Sequence, residues 1–286
     1  MTIRSYREAP RLGALYARTV RAAMQPHDNN GHGHELQLEL PYLTIDRRHL
    51  AAYCEVTGFP PGTAQVPVTY PHVLAFPLHL DLMSDATFPF RPMGVVHLAN
   101  TITQHRPIPA TAALAIEVSA GGQRPHSKGT IFEIVSDVLI GGDLVWTGTT
   151  TLLSPGPGDD AVPSELLPDP ELPPVAQWRL EANLGRRYAS VSGDRNPIHL
   201  FKLTAQAFGF PRQIAHGMWA KAAALSEVRD HLPDAYTVRV DFRKPLLLPS
   251  TADFGYHVDD NGRIDLTLHN PSTHEPHLIG QLTPSD

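Results

Sequence analysis

An aspartate and a histidine stand on either side of a predicted turn in the last third of the chain. The segment Gly193-Asp-Arg-Asn-Pro-Ile-His199 begins with a glycine, which commonly ends a helix, and its Asn-Pro step prevents that helix from continuing. Asp194 and His199 are five residues apart, so a regular helix would not align them, whereas a turn brings them toward one point. A carboxylate and an imidazole aimed at one water molecule form a general acid–base pair. The alternative is an Asx turn followed by a surface histidine.

Two further residues are expected to hold this loop in place without reacting. Asn196 lies inside the turn, between the two reactive side chains. Tyr188 belongs to the apolar stripe of the preceding predicted helix, together with Leu180, Leu184 and Val191. We expect both to support Asp194 and His199 from behind.

A second motif, His216-Gly217, opens an alanine-rich segment that we predict to be a helix, His216 to Arg229. The backbone N–H groups of a first helical turn are unpaired and carry the positive end of the helix dipole. Gly217 has no side chain to block approach, so its N–H can bind a thioester carbonyl and stabilise the enolate-like charge that develops there. The alternative is a glycine that allows close packing.

These motifs need elements to position them, and the chain has two halves of similar plan. The 286 residues suit two domains. Tyr53-Cys-Glu-Val-Thr-Gly58 in the first half matches Tyr188-Ala-Ser-Val-Ser-Gly193 in the second. Each motif lies at the end of a predicted helix and is followed by alternating, strand-like runs. We predict an α+β fold made twice, with chance similarity as the alternative. The predicted boundaries are an N-terminal domain at 1–153, a proline-rich linker at 154–174 and a catalytic domain at 175–286.

The stretch from Tyr188 to Gly217 resembles the MaoC-like, or (R)-specific hydratase-2, family of double hot-dog proteins, and within it the mycobacterial 3-hydroxyacyl-thioester dehydratases. The family pattern is a tyrosine, then Gly-Asp-x-Asn-Pro-(aliphatic)-His, then a downstream His-Gly. The resemblance implies that Asp194 and His199 act on water and that the Gly217 amide holds the carbonyl. It implies a substrate of (R)-3-hydroxyacyl or trans-2-enoyl type in fatty-acid metabolism, carried by CoA or acyl carrier protein. No cofactor is expected, because the thioester acidifies its own alpha position.

The first half departs from this pattern. Phe59-Pro60-Pro61 follows Gly58 with no aspartate or histidine at motif spacing, and Tyr70-Pro71-His72 stands where His-Gly is expected. Proline cannot donate an N–H, so this half is expected to be catalytically empty. The resemblance to double hot-dog proteins implies that this half accommodates a long acyl tail, and we expect Pro71 and Pro77 to interrupt a helix there.

Three cations on or just after a predicted strand, Arg239, Arg243 and Lys244, are candidates for binding the phosphates of the thioester's carrier. Arg243 and Lys244 are the predicted substrate-binding pair. The alternative is a solvated strand face.

Composition limits the remaining functions. A net charge of −6 disfavours nucleic acid as a partner. The single cysteine, Cys54, cannot form an internal disulfide, and we predict a cytoplasmic protein. The arginine-rich N-terminus predicts a helix docked on the body rather than membrane insertion. We expect no metal: a loop with three histidines matches no metal motif, although a site there is the alternative (His27, His32 and His34).

Two rival functions and one assembly state stay open. Hot-dog folds also serve acyl-thioester hydrolysis, so an acyl-CoA thioesterase is the second hypothesis. A non-catalytic acyl-binding subunit is the third. A homodimer is a further expectation.

Overall fold

The computed structural model describes residues 2–23, 36–90, 94–163 and 165–285. The histidine-rich loop considered as a metal site lies outside these residues. Strands and helices alternate in blocks, and the sheets are almost entirely antiparallel, which confirms the predicted α+β class. No helix in the described ranges is long and apolar enough to span a membrane.

The chain forms two compact units, and the first comprises Met1–Ile45, Pro71–Asn100 and Thr111–Glu165. Five of its strands follow one another across the sheet in the order β1 (Thr2–Ser5), β2 (Leu36–Thr44), β4 (Ala113–His126), β5 (Gly129–Ile140) and β6 (Asp143–Pro155). The β1–β2 pair is parallel and the pairs from β2 to β6 are antiparallel. Helix α1 (Leu12–Ala23) forms at the arginine-rich N-terminus as predicted.

Helix α3 (Tyr70–Met83) corrects one expectation. Pro71 is its second residue, where a missing N–H costs nothing, and Pro77 lies inside it without ending it. An interior proline costs about 3 kcal/mol. Most of α3 is buried, including Leu78 and Leu82, and this burial outweighs the lost hydrogen bond. The prediction that prolines interrupt this helix is wrong, whereas a place for the acyl tail in the first half stays a prediction.

The second unit comprises Asp46–Tyr70, Thr101–Ala110 and Leu166–Asp286. Its strands follow the order β8 (Tyr236–Phe242), β11 (Pro276–Pro284), β10 (Ile264–His269), β9 (Ser250–Val258) and β7 (Ala176–Leu180), all antiparallel. The boundary between the units divides β3 (Val96–Gln104), so that 96–100 belongs to the first unit and 101–104 to the second.

Helix α6 (Gly217–Glu227) follows the short helix α5 (Lys202–Ala207) in the chain and is the buried helix of this second unit. Its alanines allow close approach, and Ala222 and Ala224 are fully buried. Lys221 Nζ donates to the carbonyl of Val238 on β8, at 3.1 Å. The helix predicted from the alanine-rich segment is therefore present and packed on a sheet strand.

The two copies of the repeated motif form helices α2 (Arg47–Thr57) and α4 (Leu184–Ser192), which pack against each other. Each helix ends at a glycine in the left-handed region, Gly58 with φ 86° and Gly193 with φ 75°. His49 of α2 donates from Nε2 to the carbonyl of Val191 at 2.8 Å. Leu180, assigned from sequence to the helical stripe, is the last residue of β7 instead, although it is buried as expected.

These compact units do not follow the linear order of the chain. Residues 46–70 belong to the unit that holds 166–286, because α2 packs on α4 and α6. The predicted domain boundaries, 1–153, 154–174 and 175–286, follow the sequence repeat, and they stay a prediction. The proline-rich stretch itself is anchored in the second unit, since the Leu167 N–H donates to Asp241 Oδ2 at 2.6 Å and the Val175 N–H to the Phe254 carbonyl at 2.8 Å.

Candidate active site

The turn after α4 positions Asp194. The Asp194 N–H donates to Ser192 Oγ at 3.2 Å, and the carboxylate accepts from the Asn196 N–H at 3.0 Å. Asn196 caps the 3₁₀ turn Pro197–His199 by accepting from the Ile198 N–H at 3.4 Å. The turn is therefore built from its own short polar side chains, and the Asp194 side chain remains 30% exposed.

His199 lies at the end of this turn and is buried. Its Nδ1 is 2.9 Å from the carbonyl oxygen of Ile214. A carbonyl only accepts, so the ring proton sits on Nδ1 and Nε2 keeps a free lone pair. Burial lowers the pKa of His199, and the nearby Asp194 carboxylate partly offsets this. The ring is consequently neutral and basic at Nε2 near neutral pH.

The imidazole of His216 joins this pair, a contact that was not predicted from the sequence. Its ring stacks on that of His199 with centroids 3.7 Å apart and planes 25° from parallel. His216 Nε2 donates to the backbone carbonyl of Asp194 at 3.0 Å and lies 3.9 Å from its Oδ2. Burial, and then the neighbouring His199, hold the pKa of His216 well below its usual value. His216 thus touches both members of the predicted dyad.

One carboxylate oxygen of Asp194 and one ring nitrogen each of His199 and His216 lie within 4.8 Å of one another. A water molecule that hydrogen-bonds two groups at about 2.8 Å each spans such a gap. Groups of this kind can also ligate a metal ion, although His199 Nδ1 and His216 Nε2 already face backbone carbonyls. Among the residues described, these are the ones that form such a group.

Gly217 is the first residue of α6, which has no side-chain cap at His216. A Cβ at Gly217 would lie 2.9 Å from the ring of Phe242 at the end of β8. The glycine therefore permits close packing, as the alternative interpretation held. The backbone amide of Gly217 lies at the start of the helix, directly after His216, where no side chain caps it.

Tyr188 lies behind the histidines, with its ring 4.9 Å from that of His216 and 6.3 Å from that of Tyr53 on α2. Its complete burial raises its pKa well above the ordinary value, so it stays a neutral phenol. Tyr188 therefore packs against the ring of His216, and His216 in turn contacts Asp194.

Gly185, near the start of α4, allows this helix to approach the turn. A Cβ at this position would lie only 2.0 Å from the His199 carbonyl oxygen. Nothing in the sequence motif indicates this requirement, because it depends on a contact fourteen residues away.

The MaoC like domain family model matches residues 174–274, the range that contains all of these groups. Over 241 residues the chain is 42% identical to 3-hydroxyacyl-thioester dehydratase X of Mycobacterium tuberculosis, covering 82% of this chain and 85% of that protein. The chain belongs to the MaoC-like dehydratase family. The crystal structure of HtdX of M. tuberculosis matches this MaoC-like chain with a TM-score of 0.77 and 39% identity, over 87% of this chain and 100% of that one.

The MaoC-like chain has the predicted double hot-dog fold. A conserved hypothetical protein of M. tuberculosis described as having a double hotdog fold matches at a TM-score of 0.53 and 14% identity, over 85% of this chain and 92% of that one. At this identity the likeness concerns the fold alone.

The predicted phosphate-binding cations of the MaoC-like chain already have partners. Arg243 donates to the carbonyl of Leu167 and lies 3.7 Å from the buried carboxylate of Asp241, which also pairs with Arg239 at 3.0 Å. Lys244 is exposed and pairs with Glu275 at 3.3 Å. Arg243 thus helps to anchor the segment around Leu167, and a role in substrate binding for Arg243 and Lys244 stays a prediction.

Proposed function

We propose that this chain adds water to trans-2-enoyl thioesters, or removes it from (R)-3-hydroxyacyl thioesters, by means of Asp194 and His199. One observation carries the proposal: the Asp194 carboxylate lies within water-bridging distance of a histidine whose tautomer is fixed by Ile214. Family membership and the name of the M. tuberculosis relative support it.

In the hydration direction, a water held by Asp194 loses a proton to His199 Nε2 while its oxygen bonds to C3 of the enoyl group. The C2–C3 double-bond electrons move toward the thioester carbonyl, and C2 then receives a proton from the dyad. Dehydration reverses each step. Since the product gains one oxygen and two hydrogens from a single water, no redox partner is needed. His199 must be neutral to begin this step, and its burial favours that state.

The negative charge that develops on the thioester oxygen needs a donor. The Gly217 N–H at the start of α6 is suited to that role, because α6 lacks a side-chain cap and its dipole favours negative charge at this end. Removing one such donor typically costs about 3 kcal/mol of barrier. In the proposed mechanism Asn196, Tyr188 and His216 position the reacting groups.

Loss of enoyl-thioester ultraviolet absorbance from crotonyl-CoA and its longer homologues tests this function. We expect Asp194→Asn and His199→Ala each to lower kcat by about 10²- to 10⁴-fold. Asp230→Asn and His231→Ala are matched controls in an exposed turn of the same unit and should retain wild-type rates. Equal, negligible turnover by wild type and Asp194→Asn on every chain length would sink the proposal.

The same reactions separate the rival functions. A thioesterase releases free CoA thiol, which a thiol reagent detects, whereas hydration leaves the thioester intact. A non-catalytic subunit would bind acyl-CoA and be indifferent to His199→Ala.

The proposal also covers the carrier, the assembly and the cellular compartment. CoA and acyl carrier protein are both candidate carriers, a homodimer is the proposed assembly, and the cytoplasm is the proposed compartment. Light scattering on the purified protein tests the assembly.

A further inference from the structure

A cavity of about 490 Å³ lies in the second unit, close in the chain to the candidate active site. Its wall consists of apolar residues and three polar ones (Lys202, Pro211, Arg212, Gln213, Leu247, Leu248 and Pro249). This volume lies within the range usual for small-molecule sites.

Two cations, Lys202 and Arg212, line this cavity without a carboxylate partner anywhere in the described part of the chain. Arg212 Nε is buried and has no hydrogen-bond partner. A buried guanidinium N–H without an acceptor is costly, so an anionic oxygen from outside the chain would satisfy it. Such a pair of cations is notable in a protein of net charge −6.

Backbone hydrogen bonds connect the cavity wall to the segment that contacts His199 of the dyad. The Leu248 N–H donates to the Gln213 carbonyl at 2.8 Å, and the Ala215 N–H to the Leu246 carbonyl at 2.8 Å. Ile214, between them, holds His199 Nδ1. Two residues of extended chain span at most about 7 Å, so the backbone of Arg212 lies close to the anchor of His199.

The cations that the sequence favoured for phosphate contrast with this pair. Arg243 Nε is also buried without a hydrogen-bond partner, but the Arg243 guanidinium already contacts the Leu167 carbonyl and the Asp241 carboxylate, and Lys244 pairs with Glu275. A phosphate at Arg243 would have to compete with a buried carboxylate, whereas at Arg212 it would meet an unpaired donor beside the apolar side chains of Leu247 and Leu248, where charge pairing is stronger than in water.

We propose that this cavity binds a phosphate group of the thioester's pantetheine carrier, held by Arg212 and Lys202. The inference rests on the proposed function, since it assumes a thioester whose acyl end lies at Asp194 and His199. The long pantetheine arm connects the thioester to the nearest phosphate, and the shared chemistry is a phosphate ester, present in both CoA and acyl carrier protein.

The test compares the crotonyl thioesters of CoA, dephospho-CoA, acyl carrier protein and pantetheine, the last of which has no phosphate. For Arg212→Gln, Lys202→Gln and the double variant we expect KM for the phosphate-bearing substrates to rise by about tenfold or more, with kcat within about twofold. The pantetheine thioester should show no change. Arg263→Gln, on the β9–β10 turn and paired with Asp265, is the matched control.

The pattern of loss identifies the phosphate. Sensitivity that disappears with dephospho-CoA assigns the cavity to the 3′-phosphate, and sensitivity shared with acyl carrier protein assigns it to the phosphate next to pantetheine. An unchanged KM for crotonyl-CoA in the double variant overturns the inference, as does an equal loss on the pantetheine thioester.

Calorimetric titration of CoA and of pantetheine into the full chain keeps the two proposals distinguishable. If wild type turns over no thioester, the proposed function fails, while weaker CoA binding by the double variant still supports the cavity. Equal CoA binding by wild type and double variant overturns the cavity assignment whatever the activity.

Discussion

At the scale of single residues, the site is controlled by which nitrogen of His199 carries the proton. The Ile214 carbonyl fixes that proton at Nδ1, and burial keeps the ring neutral. His216, stacked on His199, is also buried and neutral, so the two rings titrate as a pair.

This arrangement predicts that the acid limb of the pH–rate profile lies at lower pH than an ordinary histidine would give. A base must be unprotonated, and the folded-state pKa of His199 is lowered from the ordinary 6.5. We expect the acid limb of kcat/KM for crotonyl-CoA to have its midpoint below pH 6.5. A pH–rate profile measures this directly, and a limb centred at or above 6.5 would contradict it.

A second prediction concerns His216, which we infer to be a positioning residue. His216→Leu removes both the stack on His199 and the donor to the Asp194 carbonyl, and we expect kcat to fall by about 10²-fold with KM nearly unchanged. His216→Gln keeps a donor and should recover part of that loss. If both variants lose the same activity, or if KM rises instead, the ring does not act through the dyad.

The dyad was easier to predict from the sequence than the groups that surround it. Asp194, Asn196 and His199 form one short turn, and local rules predict such a turn well. His216 lies seventeen residues beyond His199 in the chain, and the pairing of 213–215 with 246–248 brings its ring to the site. A histidine directly before Gly217 was the available signal, but its side-chain position depends on that tertiary pairing.

At the scale of elements, the spacing between α4 and the 3₁₀ turn determines where His199 lies. Gly185 is the contact point, because any side chain there meets the His199 carbonyl.

Gly185→Ala should therefore disturb both stability and catalysis. We expect it to lower the free energy of unfolding by about 1–3 kcal/mol, because a Cβ 2.0 Å from a backbone oxygen forces the elements apart, and to reduce kcat as His199 shifts. Gly13→Ala is the control, since Gly13 is an exposed position of α1 where an added Cβ has nothing within 4 Å, and it should be neutral or stabilising by up to about 1 kcal/mol. Denaturant melts and crotonyl-CoA kinetics measure both effects. Wild-type kcat and stability in Gly185→Ala would contradict this prediction, because α4 could then shift without cost.

Helix α3 marks the limit of element prediction. Both helix-ending glycines, Gly58 and Gly193, follow from local chemistry and were predicted. Pro77 breaks a local rule, yet the helix persists because of burial by residues distant in sequence. Propensity describes the isolated helix, whereas tertiary packing determines the observed one.

At the scale of the whole molecule, buried histidines couple folding to pH. His79 on α3 is buried, with Nε2 2.6 Å from Ser136 Oγ, and burial lowers its pKa to about 4. The unfolded chain binds a proton near pH 6.5, whereas the folded chain binds it only near pH 4. The stability due to neutral His79 is thus fully present above 6.5 and is lost progressively as the pH falls toward 4.

We expect the free energy of unfolding to fall by up to about 3 kcal/mol over that window on account of His79. His199 and His216 act in the same direction. Urea titrations at a series of pH values measure the loss. His79→Asn should flatten the slope between pH 6.5 and 4, whereas His257→Asn, at an exposed position on β9, should leave it unchanged. An unaltered slope in His79→Asn would exclude this origin.

The pairing of α2 with α4 gives the first copy of the repeated motif a structural task. Each helix carries one copy of the Tyr-x-x-Val-(Ser/Thr)-Gly motif, and α2 lies in the compact unit that holds the dyad. Trp219 of α6 also donates to the Val56 carbonyl of α2, at 2.9 Å. The first copy of the motif therefore supports the second, although Phe59-Pro60-Pro61 after its glycine carries no aspartate or histidine. Substitutions in α2 are accordingly expected to act on the position of the turn at Asp194, through the contacts of α2 with α4 and α6, and not on a reacting group.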